Sequence, residues 1–101
     1  LKNAGQIKEN VRLANARLTA ARFVGEAGGG QVRATVDGKG EPISIKIEPT
    51  LLESRDGELI EELTVAALRD AIRQSREGAM KEMQAAAGGV DLSGLLQMFG
   101  K

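Results

Sequence analysis

Arg69, Arg73 and Arg76 stand four and three residues apart, so on a helix their side chains share one face. A row of guanidinium groups at that spacing can neutralise phosphates along a nucleic-acid duplex. The competing reading is a solvated face with ion pairs, since Arg73 and Glu77, and Glu77 and Lys81, are each four apart. A second basic set opens the chain. Lys2, Lys8, Arg12, Arg17 and Arg22 are opposed within residues 1–22 by Glu9 alone. Ordinary solubility would give a more even mix of signs. Asn15 and Thr19 fall beside Lys8, Arg12 and Arg22 and can donate to phosphate, with plain surface polarity the simpler account of both.

Other chemistries find no residues to carry them. With neither Cys nor His, disulfides, thiolate nucleophiles, imidazole acid–base catalysis and the usual zinc sites are excluded. Glu61 and Glu62 are helix neighbours, pointing about 100° apart, so they do not converge on a substrate. The segment DGKGEPISIKIE has acids at Asp37, Glu41 and Glu48 but fails as a calcium loop at Lys39 and at Pro42, where Gly is required. GGGQVR and DGKG lack the Lys and hydroxyl that end a phosphate-binding P-loop. No enzyme, metal or cofactor is expected. Phe23 and Phe99 are the only aromatic residues, too few for the stacking platforms of single-strand recognition. Duplex DNA held through its backbone fits better.

The formal net charge is zero, but its distribution is uneven. Residues 1–22 sum to +4, residues 23–68 to −5, residues 69–87 to +1, and the tail to zero. The 101 residues bound one domain, assigned to 1–87, with a short tail at 88–101. No run approaches the ~18 apolar residues of a membrane span, and no secretion signal is read. The lack of Cys suits a reducing interior. The chain starts at Leu1 rather than Met, which fits an N-terminus removed or left out.

The elements that must position the cations follow from periodicity. Ile7, Val11, Ala14, Leu18 and Ala21 recur at a period near 3.5, predicting a helix over 2–22 with one apolar stripe. Leu13, Ala16 and Ala20 form a weaker second patch, so one patch can meet a sheet and the other a second helix. Val32, Ala34 and Val36 alternate with polar residues, as do Ile43, Ile45 and Ile47, predicting half-buried strands. Asp37-Gly38-Lys39-Gly40 and Gly28-Gly29-Gly30 are turns, which implies a preceding strand near Phe23–Glu26. The result is a three-stranded antiparallel meander that Pro49 ends. Asp56 is the predicted N-cap of a long helix over about 58–87. It carries the stripes Ile60, Leu63, Ala67, Ala71 and Val65, Leu68, Ile72, and Gly78 weakens it locally. About 45 Å of helix exceeds a globule of this size, so its second half projects or packs on another copy. Ile7, Val11, Leu18, Val65, Leu68 and Ile72 are assigned to core or subunit seam.

The order helix, three strands, long helix resembles the YbaB/EbfC family of bacterial nucleoid-associated proteins. The match is carried by GEAGGGQVRATVDG at 25–38, IKIEPTLLE at 45–53 and DGELIEELTVAALRDAIRQSREGAMKEM at 56–83. One departure is an Ala- and Asn-rich first helix where the family commonly has Met and Gln. The resemblance implies an α+β homodimer with projecting helices, cytoplasmic and on the nucleoid, binding double-stranded DNA with little sequence preference. It implies a role in nucleoid organisation or gene expression. Carried over by element and charge, its DNA contacts would be Lys8, Arg12, Arg17, Arg22, Arg69, Arg73 and Arg76. The alternative is a protein-interaction adaptor without direct DNA binding. Its surfaces would be the acidic middle and the tail residues Leu92, Leu95, Leu96, Met98 and Phe99, which could dock a protein partner.

Overall fold

The structure is a computed structural model and describes residues 4–88. The apolar tail proposed as a docking segment lies outside the described residues. Six elements follow in order: α1 (Ala4–Ala20), β1 (Phe23–Ala27), β2 (Val32–Val36), β3 (Pro42–Ile47), α2 (Pro49–Glu53) and α3 (Gly57–Ala86). The helix, meander and long helix read from the sequence are all present.

The sheet is antiparallel in the order β1-β2-β3. Val32 pairs with both Ala27 and Ile47, and Ala34 with both Gly25 and Ile45. Val32, Ala34 and Val36 are fully buried beneath α3, forming the core with Leu51, Ala67 and Ala71. Each fully buried Val is worth about 1.5–3 kcal/mol relative to exposure. α3 runs over β1 and β2. The strand β1 lies against it so closely that a Cβ on Gly25 would overlap the backbone of Ala67 and Ala71. Glycine and two alanines are what permit that approach.

The third strand departs from expectation. Its Ile row points to the same face as Val32 and Ala34, yet Ile43 is 49% exposed and Ile45 is 41% exposed. The reason is geometric: α3 covers the first two strands and leaves the third beyond its edge. Pro42 opens β3 beside a register shift at Thr35/Val36, where its missing N–H breaks no ladder bond. Pro49 does more than end the sheet, because it starts α2 at a position that needs no N–H. Leu51 of α2 is buried against the core, and Arg55, in the left-handed region at φ 58°, redirects the chain into α3. As predicted, Asp56 caps α3, accepting from Leu59 N at 3.1 Å.

The other correction concerns α1. It does not lie on the sheet, and no described element covers its second patch of Leu13, Ala16 and Ala20. It packs along the C-terminal half of α3, with Ala14 and Leu18 buried at the contact. Asn10 Nδ2 reaches the Ala86 carbonyl and Arg17 Nε reaches Glu82 at 2.9 Å, so the helices run antiparallel. The two form an arm that projects from the sheet, giving the molecule extents of 61 × 28 × 16 Å.

The arm is fixed to the sheet at two close approaches. Gly38 of the β2–β3 turn donates to the Leu18 carbonyl at 2.8 Å. A Cβ there would stand 2.6 Å from that same oxygen. On the other side, Gly78 of α3 lies against the Phe23 ring, in space that a Cβ would occupy. The helix-weakening glycine of the sequence is thus the seat of the only aromatic ring among the described residues.

Candidate nucleic-acid interface

The two grooves between α1 and α3 differ in charge. One is lined by Arg17, Leu18, Phe23, Gly78, Lys81 and Glu82. Here Arg17 is held by Glu82. On the crest of α3, about 40° from Arg69, Arg73 sits between Asp70 at 2.7 Å and Glu77 at 3.1 Å. The Arg73 guanidinium, followed by the amide of Glu26, holds the Asp70 carboxyl below its usual value, and Asp70 in turn raises Arg73. Asp70 also accepts from Gln74, which reaches the Val24 carbonyl. Arg73 therefore belongs to a network tying α3 to β1. We call the Arg17 side, together with the acid-bound Arg73 that borders it, the capped flank, with Lys81 its one cation lacking a carboxylate within 4.0 Å among the described residues.

The opposite groove is lined by Leu18, the turn Gly38–Gly40, Ile72, Ser75, Arg76 and Ala79. At 100° per residue, Lys8 lies half a turn from Arg17 around α1, which puts Lys8 on this side, with Arg12 about 40° further round. Arg69 falls within about 20° of Arg76 on α3. Among the described residues Lys8, Arg69 and Arg76 have no carboxylate within 4.0 Å. Arg22, at the end of α1, donates to the carbonyls of Thr19 and Ala21 rather than to an acid. Arg12 is the exception here. Glu9 binds it through both oxygens, which lowers Glu9 and raises Arg12. We call this side the open flank.

The structure thus brings Lys8, Arg12, Arg22, Arg69 and Arg76 to one side and sets Arg17 in an ion pair on the other, while Arg73 shares the face of Arg69 and Arg76 on α3 but is held by Asp70 and Glu77. Of the residues assigned to core or seam, Leu18 is buried and Leu68 and Ile72 are half-buried. Ile7, Val11 and Val65 are exposed, Val65 at 55%. Val65, Leu68 and Ile72 line one groove with Arg69, Arg73 and Arg76, an apolar floor with a cationic rim. With Ile43 and Ile45 of β3 they make an uncovered apolar band beside the open flank.

Residues 1–90 match the YbaB/EbfC DNA-binding family. The chain belongs to that family. A nucleoid-associated protein of Mycobacteroides abscessus is 37% identical over 101 residues, covering 99% of this chain and 89% of its own. Another, from Rhodopseudomonas palustris, is 36% identical over 92 residues, covering 91% and 87%. The crystal structure of the uncharacterized protein HP0035 from Helicobacter pylori shares the fold, with a TM-score of 0.65 at 24% identity over 74% of this chain and 78% of that one. The YbaB/EbfC family is one of DNA-binding proteins rather than enzymes. Among the described residues no group of acids is arranged to hold a metal, and no helix is long and apolar enough to cross a membrane.

Sequence reasoning missed Lys39. It lines the open groove with Arg76, yet in the sequence it is one residue of a glycine turn. The only available signal was a cation between two glycines at a sheet end, which is also what an ordinary turn contains.

Proposed function

We propose that the chain acts as a homodimer that holds double-stranded DNA along the open flanks of its two arms, on the nucleoid, with little sequence preference. A role in nucleoid organisation or gene expression follows from that. The observation that carries this reading is the sorting of cations: those without acidic partners, Lys81 apart, collect on one side of the arm. A paired arginine must give up its carboxylate to take a phosphate, whereas an unpaired one exchanges only mobile counterions. Lys8, Arg22, Arg69 and Arg76 are therefore the principal contacts. Arg12 contributes in competition with Glu9, and Arg17 and Arg73 serve chiefly to hold the arm and the sheet together.

The band of Ile43, Ile45, Val65, Leu68 and Ile72 supports a subunit seam. A chain with so few aromatics has a modest core, and burying this band against its own symmetry mate adds to it. The seam adjoins the open flank, so pairing brings two sets of cations to one duplex. Contacts made to backbone phosphates carry no base information, hence the weak sequence preference.

The test is a gel shift of a duplex at about 50 mM salt with a mass measurement on the same samples. The parent shifts DNA and has the mass of two chains. The variant Arg69→Glu/Arg76→Glu keeps the dimer mass and loses the shift. A parent without affinity at this salt, yielding instead a protein partner by pull-down, would move the reading to the adaptor.

A further inference from the structure

The open groove contains more than helix-borne charge. It is a pocket of about 450 Å³ whose lining joins three elements: Leu18 of α1, Gly38, Lys39 and Gly40 of the β2–β3 turn, and Ile72, Ser75, Arg76 and Ala79 of α3. Its two cations, Lys39 and Arg76, come from opposite walls. Neither has a carboxylate within 4.0 Å among the described residues.

The turn that presents Lys39 is rigid for identifiable reasons. Asp37, only 7% exposed, accepts through its carboxylate from the amides of Lys39 at 2.8 Å and Glu41 at 3.0 Å. Gly40 N donates to the Asp37 carbonyl, and so does the buried Ser75 hydroxyl of α3, at 2.9 Å. Gly38 is clamped on Leu18. The backbone of the turn is thereby fixed to both α1 and α3, and with it the distance between the two cation-bearing walls. These bonds also occupy the turn's amides, so an anion entering the pocket would be held by side chains. The one acid beneath the turn is turned inward, its charge engaged by the amides of Glu41 and Lys39 and by the nearby charges of Arg22 and Lys39.

We infer that Lys39 and Arg76 together form a seat for one phosphate of the DNA backbone, making the β2–β3 turn a third DNA-contacting element beside the two helices. This rests on the DNA-binding reading above and adds to it a contact that lies on no helix. A lysine supplies a compact mobile charge and an arginine a planar fork, a combination suited to a tetrahedral anion with several acceptor oxygens. Because the turn is bonded to both α1 and α3, the seat also fixes how far the duplex descends toward the base of the arm.

The experiment is a salt titration of duplex binding by the parent, Lys39→Gln, Arg76→Gln, the double variant, and Lys46→Gln as a control on the opposite face of the sheet. Each neutralised phosphate contributes about 0.9 to the slope of log K against log salt. A dimer with two shared seats predicts that the double variant flattens the slope by ~1.8, with each single variant losing part of it. Lys46→Gln leaves the slope unchanged. A loss near ~3.6 in the double variant would mean a separate phosphate for each cation and would overturn the shared seat. A double variant with the parent's slope overturns it as well, and leaves the DNA-binding reading standing if the parent binds. A parent that does not bind the duplex overturns both. Circular dichroism of each variant confirms that the substitutions, at exposed positions, leave the fold intact.

Discussion

The capped and open flanks of the arm are built from the same two helices, yet they are suited to different work. On the capped flank Arg17 and Arg73 are spent on Glu82, Asp70 and Glu77, and two of those pairs cross between elements or feed a network that does. On the open flank Lys8, Arg69 and Arg76 face no acid within 4.0 Å among the described residues. The open flank has more cations and fewer acids, but number is not the whole difference. What distinguishes them is whether each cation's counter-charge is another part of the protein or a displaceable ion, and only the second releases entropy when a phosphate replaces it.

The strongest way to break this comparison is to reverse charge on the open flank. Lys8→Glu/Arg69→Glu/Arg76→Glu is expected to abolish the duplex shift at about 50 mM salt, since it both removes contacts and repels phosphate. Light scattering should still report two chains. Next in size is the seam. Ile45→Asp with Val65→Asp puts unpaired charge where a partner must bury apolar surface. Sedimentation should then show single chains, and DNA affinity should fall because one set of cations remains per particle. A dimer that survives both substitutions would place the seam elsewhere.

Smaller effects come from the joints that hold the flanks in place. Gly25→Ala should cost about 1–3 kcal/mol in urea unfolding, because β1 cannot withdraw from Ala67 and Ala71 without disturbing the sheet. Gly78→Ala should cost less. The overlap with Phe23 is partly offset by the roughly 1 kcal/mol that Ala gains over Gly inside a helix. Smallest is the effect of acid on the carboxylates of the two flanks. Glu9, Asp37 and Asp70 all titrate lower in the folded state than normal carboxyls, through Arg12, the Glu41 amide and Arg73 respectively. A depressed carboxyl contributes stability that is complete above its unfolded pKa of about 4 and is lost as pH falls through the lower folded value. The melting temperature should thus be flat from about pH 7 to 5 with respect to these groups and fall below about pH 4. Asp70→Asn should remove part of that fall while leaving the salt slope of DNA binding unchanged.

Much of the fold was legible because its signals are local. Alternation in β2, the glycine turns and the Asp56 cap each act within a few residues, and each was found where the sequence placed it. The exposure of Ile43 and Ile45 was not legible. Alternation says which way a side chain points but not whether the covering helix is wide enough to reach it. α2 was hidden for a related reason, since a Pro after a strand reads equally as a stop or as the first residue of a helix. At the candidate interface, the shared face of Arg69, Arg73 and Arg76 followed from spacing. Their division into paired and unpaired members did not, although the Arg73–Glu77 pair was visible at four residues' distance. The Arg17–Glu82 pair joins residues 65 apart, and the placement of Lys39 opposite Arg76 depends on how α1, the turn and α3 meet. Such relations are properties of the tertiary structure and leave no periodic trace.

The account therefore turns on the difference between the flanks, which two parallel salt titrations measure directly. One uses the open-flank variant Lys8→Gln/Arg69→Gln, the other the capped-flank variant Arg17→Gln/Arg73→Gln, each compared with the parent, whose slope is about −7 for roughly eight phosphates on a dimer. Both remove the same formal charge. The account predicts a marked flattening, approaching ~3.6 for a dimer, in the first and a slope close to the parent's in the second. Equal flattening in both, or flattening only in the capped-flank variant, would contradict it.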